Sequence, residues 1–489
     1  MGKRIVRERI HAGVEYNNYM HLRAKVLLFL LILIPLALGV AGQPLPLAEN
    51  YVEGQRALAQ ARADNDPGAE ITALEALLEI SPWRGDQWQR LGRLYLDTGQ
   101  AQQAVASFES AAVTNQLEAH GSIWLADALV TCGRANEAKS VLVNLASNDP
   151  FVLTQAAAIL RRNHFLDSSK EVLQKAYLLD PRNENINYQL GVLNMALHPA
   201  DALDYLQVVK EEPKMKVNAE YLAETISAYE SITLAGGWYI VAGQALSRTG
   251  EWDAAAESFR LATVADLENA IAWALLAEAQ QQIGQDGLAS LERALALDPR
   301  GEMVNGLAGL YYRRMLNTEN ALAHLQKALA ANPDAAVWQI EVGGVLADAG
   351  RLEEALAAYE AAIAIDRADP ESWEALAKFS LTRNYEVEEE GLPAARQLVL
   401  IQPTNPVYLD LLGTAYLTLA DLDSAERFFM QALRYDPEEA AILIHLAQTS
   451  LYRGDKETAF AYLRRASASA TDERLREMAD RLLEENGAR

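Results

Sequence analysis

The chain has 489 residues, 50% hydrophobic, 22% charged and 7% aromatic, which is enough apolar side chain for a large core and too much for a mainly disordered or collagen-like chain. The formal net charge of −24 counts against nucleic acid as the main partner, because phosphate recognition needs clustered Lys and Arg. A lone cysteine, Cys132, excludes an intrachain disulfide and any cysteine-rich zinc or iron–sulfur site.

The charge is unevenly spread. Residues 1–25 hold six basic and two acidic side chains, a net of +4, which leaves −28 on the remainder. Residues 26–48 follow with no charge at all. A bilayer core of about 30 Å is crossed by a helix of roughly 20 apolar residues, so this stretch is expected to span a membrane, kinked at Pro35. The basic flank precedes it, which predicts a cytoplasmic N-terminus and an exported remainder. Two alternatives stay open. One is a signal peptide cleaved near Ala41, after the small residues Gly39-Val40-Ala41, and the other is a buried core helix.

Downstream, the sequence repeats itself. Gly99, Ala104 and Phe108 return as Gly133, Ala138 and Leu142, each 34 residues on. Ala321, Leu325 and Ala328 return at the same distance as Ala355, Tyr359 and Ala362, and Gly250 returns as Gly284. Near the C-terminus Gly413, Ala425, Phe429 and Ala432 return as Ala447, Ala459, Leu463 and Ala466. Small residues at fixed offsets let paired helices approach, and large ones fill the space between hairpins. Asp-Pro pairs at 149–150, 180–181, 298–299 and 436–437 are expected to end helices.

Trp88, Leu91, Gly92, Tyr95, Ala104, Phe108 and Ala111, and again Leu412, Gly413, Tyr416, Ala425, Phe429, Ala432 and Pro437, make the chain resemble the tetratricopeptide repeat (TPR) family. The resemblance implies an all-α, right-handed superhelical solenoid of about twelve helical hairpins, preceded by one transmembrane helix. Hairpins are expected to start near residues 51, 85, 119, 150, 184, 236, 270, 302, 336, 370, 406 and 440. The expected organisation is a basic tail (1–25), a membrane segment (26–48), an N-terminal array (51–212) and an extra helix or insertion (213–235). A C-terminal array (236–471) and a capping helix (472–489) complete it, with Thr471 as the expected N-cap and Gly487 past the helix end. The insertion reads either as a tolerated excursion or as a hinge between the arrays. The acidic run at 384–391 reads as a solvated loop lengthening one turn.

No catalytic constellation emerges. The seven histidines show no helical metal spacing, and phosphate-loop and nucleophile-elbow motifs are absent from the sequence. Cys132 falls at a turn, where a structural role is expected. The reading is therefore a non-enzyme with no cofactor and no metal site.

In the resembled family a concave groove is lined by the second, fifth, ninth, twelfth and thirteenth positions of each first helix. Those positions here are Gln89, Arg93, Asp127, Arg161, Arg162, Tyr188, Gln244, Arg248, Glu278, Arg313, Arg314, Lys378, Asp410, Gln448 and Tyr452. Arg161-Arg162 and Arg313-Arg314 are notable in so acidic a chain. They read either as contacts for acidic groups of a partner or as helix-end cations that complement the helix dipole. The expected partner is a protein or peptide, with membrane attachment through residues 26–48 and no nucleic acid. The resemblance thus implies a membrane-anchored scaffold that organises an envelope complex. The alternatives are an accessory subunit of an envelope polymer, lipid or cofactor-assembly enzyme system, or an all-helical enzyme.

Overall fold

Recurring local signals set the helix boundaries. The computed structural model describes residues 46–195, 199–227 and 236–487. Within them every regular element is helical: 26 α-helices and one π-helical turn. Four helix starts are built from a short polar side chain followed by proline. Asp66, Asp149, Asp369 and Asn405 each accept a backbone N–H of the first turn, with Pro67, Pro150, Pro370 and Pro406 behind them. The proline lacks only a donor that would have no helical partner there. This corrects one expectation. Asp149-Pro150 opens a helix, whereas helices end before Asp180, Asp298 and Asp436. The capping helix is likewise started by Asp472, not Thr471, while Gly487 stands past its end with φ of 84°.

The contacts divide the chain into two compact units, one ending at Leu179 and one running from Asp180 to Arg489. The first unit holds four hairpins: α1 (Pro46–Ala63) with α2 (Pro67–Ile80), α3 (Gly85–Asp97) with α4 (Ala101–Val113), α5 (Ala119–Thr131) with α6 (Ala135–Val143), and α7 (Pro150–Arg162) with α8 (Leu166–Leu179). The second begins with α9 (Glu184–Asn194), α10 (Pro199–Leu206) and the additional helix α11 (Pro213–Ser227). Five hairpins follow: α12 (Gly237–Arg248) with α13 (Trp252–Ala265), α14 (Ala270–Gln282) with α15 (Leu288–Leu297), α16 (Glu302–Arg314) with α17 (Thr318–Ala331), α18 (Ala336–Asp348) with α19 (Leu352–Ile365), and α20 (Pro370–Arg383) with α21 (Leu392–Ile401). The last two are α22 (Pro406–Thr418) with α23 (Leu422–Tyr435) and α24 (Ala440–Tyr452) with α25 (Lys456–Ser469), and α26 (Glu473–Glu485) closes the unit.

Within a hairpin the small residues do what their spacing predicts. A Cβ on Gly413 would stand 2.5 Å from the ring of Phe429, and Gly92, Gly243 and Gly343 meet Phe108, Phe259 and Tyr359 in the same way. Ala104, Ala111, Ala425, Ala432, Ala459 and Ala466 are fully buried on the second helices. In five hairpins a further link joins the first helix to the turn before it. The fourth residue of a first helix donates to the carbonyl six residues earlier: Trp88 to Pro82 at 3.0 Å, Trp273 to Leu267 at 3.0 Å and Trp373 to Arg367 at 2.9 Å. Asn187 and Asn305 do the same toward Pro181 and Pro299.

Helix α11 is part of the core of its unit. Ala219, Leu222 and Ile226 are buried with Tyr188 and Val192 on one side and Trp238 and Leu246 on the other. The loop at 384–391 forms the π-helical turn Val387–Gly391, burying Val387 and Gly391 and exposing Glu388 and Glu389. Among the described residues no group of three or more His, Cys, Asp or Glu is placed to hold a metal, and no helix is long and apolar enough to cross a membrane. The expected membrane segment lies, up to residue 45, outside the described residues, as does the tail before it.

Candidate partner-binding groove

Stacked hairpins bring the first helices of a unit side by side, so residues about 35 apart in sequence become neighbours on one face. In the first unit Asp127 of α5 and Arg162 of α7 meet at 3.2 Å. Arg161, beside Arg162, is also engaged. Arg93 pairs with Asp97 at 3.0 Å in its own helix and lies over the Trp124 ring, 5.2 Å from its centroid. Gln89 is buried: its amide donates to the Gln116 carbonyl at 2.9 Å, and its oxygen accepts from the Glu118 N–H at 3.0 Å.

The middle of the second unit carries a ladder of ions. Arg314 donates to the Glu278 carboxylate at 2.9 Å and to Gln281 at 3.0 Å, spanning α14 and α16. Its neighbour Arg313 turns the other way, to Glu341 at 2.8 Å and Asp348 at 2.9 Å on α18. Asp348 then accepts from Arg383 of α20 at 2.9 Å. Burial opposes the charge of Arg313, but the Asp348 and Glu341 carboxylates hold its pKa above the ordinary value. Four successive first helices are thereby tied by charge-assisted bonds.

Other expected groove residues are scattered. Tyr188 is buried and donates to Glu251 at 2.8 Å, with Asn218 donating to it at 3.3 Å. Arg248 covers the Tyr221 ring at 5.6 Å, Lys378 pairs with Glu374 of its own helix at 2.5 Å, and Gln244 is exposed.

Gln448 and Tyr452 come together. They line a cavity of about 690 Å³ at the C-terminal end of the second unit. Its aliphatic wall is Leu417 of α22, Leu451 of α24 and Leu482 of α26, and its polar wall is Asn384, Thr414, Thr418 and Gln448. His445 lies at its base, its Nδ1 2.8 Å from Oδ1 of Asp410, over the Phe429 ring at a centroid distance of 5.4 Å. Burial pulls the His445 pKa down, yet the Asp410 carboxylate outweighs it and leaves the net shift upward. Among the described residues no Lys, Arg, Asp or Glu lines the cavity.

Sequence reasoning missed His445, Asn384, Thr414, Leu417 and Leu482, and the ladder members Glu341, Asp348 and Arg383. The one signal it could have used is the spacing of 35 that links Arg313 to Asp348, Asp348 to Arg383 and Asp410 to His445.

The sequence model of the tetratricopeptide repeat family matches residues 307–372 and 411–473, and a second model of that family matches residues 88–112. No curated protein matches the sequence. Among solved structures, yeast Tom70 is similar at 15% identity and a TM-score of 0.42, over 89% of this chain and 95% of that one. The Cut9–Hcn1 hetero-tetramer of the APC/C gives 14% identity and 0.42 over 90% and 96%. PilW, a type IV pilus biogenesis factor, gives 18% and 0.38 over 45% and 100%. The chain carries tetratricopeptide repeats in both of its compact units.

Proposed function

We propose that the protein is a non-catalytic scaffold that holds a partner polypeptide on the first-helix face of its second unit. The observation that carries this reading is the cavity bounded by the turn after α20 and by α22, α24 and α26, where Gln448 and Tyr452 stand beside an aliphatic wall. Concave sites with convergent polar groups on an apolar floor are where polypeptide segments are gripped. Arg162, Arg313 and Arg314, by contrast, are already held by carboxylates of their own chain, and Arg161 is engaged as well, so an acidic partner has to displace those contacts before it gains anything.

The scaffold is proposed to be tethered through residues 26–48, with the repeats on the exported side and an envelope assembly as its setting. The support is the uncharged stretch behind a tail of net +4. Protease treatment of spheroplasts made from cells expressing the full chain tests this arm. Degradation of the repeats with survival of the tail is expected, and protected repeats refute it.

Photo-crosslinkers placed at Gln448 and Tyr452, and separately at Arg464 on the exposed face of α25, test the partner site in the same cells. A discrete protein adduct from the first two positions, absent from the third, is expected. Equal adducts from all three remove the groove from the account.

A further inference from the structure

The chemistry of the cavity selects its occupant. The arginines next in sequence to two lining residues, Asn384 and Tyr452, are each paired with carboxylates of this chain: Arg383 with Asp348 at 2.9 Å, and Arg453 with Asp423 at 2.6 Å and with Glu426. Among the described residues the lining holds no Lys, Arg, Asp or Glu, and its imidazole, His445, is paired with Asp410 beneath it. A charged side chain entering here would lose water without meeting an opposite charge, which disfavours it strongly. Aliphatic side chains would meet Leu417, Leu451 and Leu482, which converge from three different helices.

The polar wall adds a second constraint. The side-chain amides of Asn384 and Gln448 and the hydroxyl of Tyr452 make no hydrogen bond to another described residue, and the Thr414 hydroxyl is buried without a protein partner. Each amide offers both a donor and an acceptor, the complement of a peptide group. A helix has spent its main-chain groups on itself, except at its ends. Only a non-helical segment brings free N–H and C=O groups to such a wall along its length.

We infer that the cavity takes an uncharged, aliphatic-rich segment of the partner in extended conformation. Asn384 and Gln448 bind its main chain, and Leu417, Leu451 and Leu482 seat its side chains. This rests on the scaffold reading and names the chemical class of what that scaffold holds.

A phage-displayed library of random nonapeptides, panned on the full chain, is the test. The enriched peptides are expected to lack charge and to carry two or more Leu, Ile, Val or Met. Tyr452→Asp puts a charge at a position that is 74% exposed and costs the fold little, and it should weaken those peptides by about tenfold or more. Gln448→Ala should weaken them less, while circular dichroism and Tm stay unchanged in both variants. Enrichment of acidic peptides that ignore Tyr452→Asp but are lost on Arg313→Met would leave the scaffold standing and overturn this assignment of its ligand. Peptides that bind only when helical would overturn the extended mode. No enrichment at all would also overturn the inference, and the crosslinking result would then decide the scaffold reading by itself.

Discussion

Between Glu278 and Arg383 the first-helix face of the second unit is laced by arginine–carboxylate pairs, whereas between Asn384 and Leu482 it opens into a cavity whose described lining carries no Lys, Arg, Asp or Glu, with the His445–Asp410 pair at its base. Both stretches use one backbone plan. In the first, positions that could face a partner are spent on neighbouring hairpins: Arg314 on Glu278, and Arg313 on Glu341 and Asp348. In the second, the corresponding positions hold Gln448 and Tyr452, whose side chains make no hydrogen bond to another described residue. A repeat stack gains its stability from intrinsic and nearest-neighbour terms, so a position can serve the stack or a ligand but seldom both. The middle carries three arginine–carboxylate links between neighbouring first helices, whereas at the end the His445–Asp410 pair joins α22 to α24 and leaves Gln448 and Tyr452 outside the linkage.

The largest test of this division is in the core beneath the cavity. Phe429 is fully buried against Gly413 and under His445. Phe429→Ala should cost about 3–5 kcal/mol, and Gly413→Leu, which overfills the same space, about 1–3 kcal/mol. Urea unfolding gives the totals. Hydrogen exchange should show lost protection spreading to the hairpins on either side of α22 and α23, because neighbours stabilise one another. Loss confined to α22 and α23 would mean that the hairpins are energetically independent.

The ladder should respond far less. Arg313→Met removes its hub but leaves Glu341 and Asp348 side by side, 23% and 43% exposed. At such exposure the expected cost is about 1 kcal/mol, largest at low salt and fading as salt screens the pair. A salt titration of both proteins checks this. If the variant and the wild type show the same salt dependence, the ladder contributes no electrostatic stability.

The pH responses should differ as well. Arginine–carboxylate pairs keep their charges around neutrality, whereas the imidazole of His445, beside Asp410, is a group whose charge depends on pH. The folded pKa of His445 is raised above 6.5, so its contribution is fully present below that value and is lost as pH rises through the folded pKa. The C-terminal hairpins should therefore be most stable on the acidic side of neutrality, and Asp410→Asn should flatten that dependence. Amide exchange in α22 and α24, followed from pH 6 to pH 8 and corrected for intrinsic rates, reads it directly. Unchanged protection across that range would show that the pair carries no linkage.

Much of this scaffold is legible in the sequence because its causes are local. Gly92 facing Phe108, Gly413 facing Phe429 and the buried alanines recur at one period, and that recurrence follows from helix geometry. The face chemistry is less legible. Counting helix positions treats Gln89 and Tyr188 as open, yet both turn into the stack, Gln89 to the turn at Gln116 and Glu118 and Tyr188 to Glu251. Their direction depends on how far one hairpin rotates against the next, which no single repeat encodes. The cavity is harder still, since Asn384 comes from a turn and Leu482 from the capping helix. Neither occupies a groove position in any repeat.

The smallest expected effect isolates the shared backbone from the chemistry painted on it. The fifteenth position of each hairpin is the turn between its helices, and it takes positive φ throughout the second unit from Gly250 to Gly454. Glycine holds it at 250, 284, 350 and 454, but Leu316 in the ladder hairpin and Ala420 in the cavity hairpin adopt φ of 56° and 61°. A left-handed conformation costs an L-residue about 1–2 kcal/mol, while glycine gives back about 0.5–1 kcal/mol in unfolded-chain entropy. Leu316→Gly and Ala420→Gly should therefore each stabilise the protein by about 0.5–1 kcal/mol. Leu316 is 85% exposed, so its side chain has little packing to lose. The two turns are in different hairpins, and the double variant should show the sum of the single gains within about 0.5 kcal/mol. Equal gains at the two sites would show that the turn energetics belong to the common plan and are indifferent to whether the face above is ionic or open. A gain at Ala420 with none at Leu316 would instead mean that the ladder dictates the turn conformation beside it, with Arg313 and Arg314 holding the chain in a strained geometry that relief of Leu316 cannot improve.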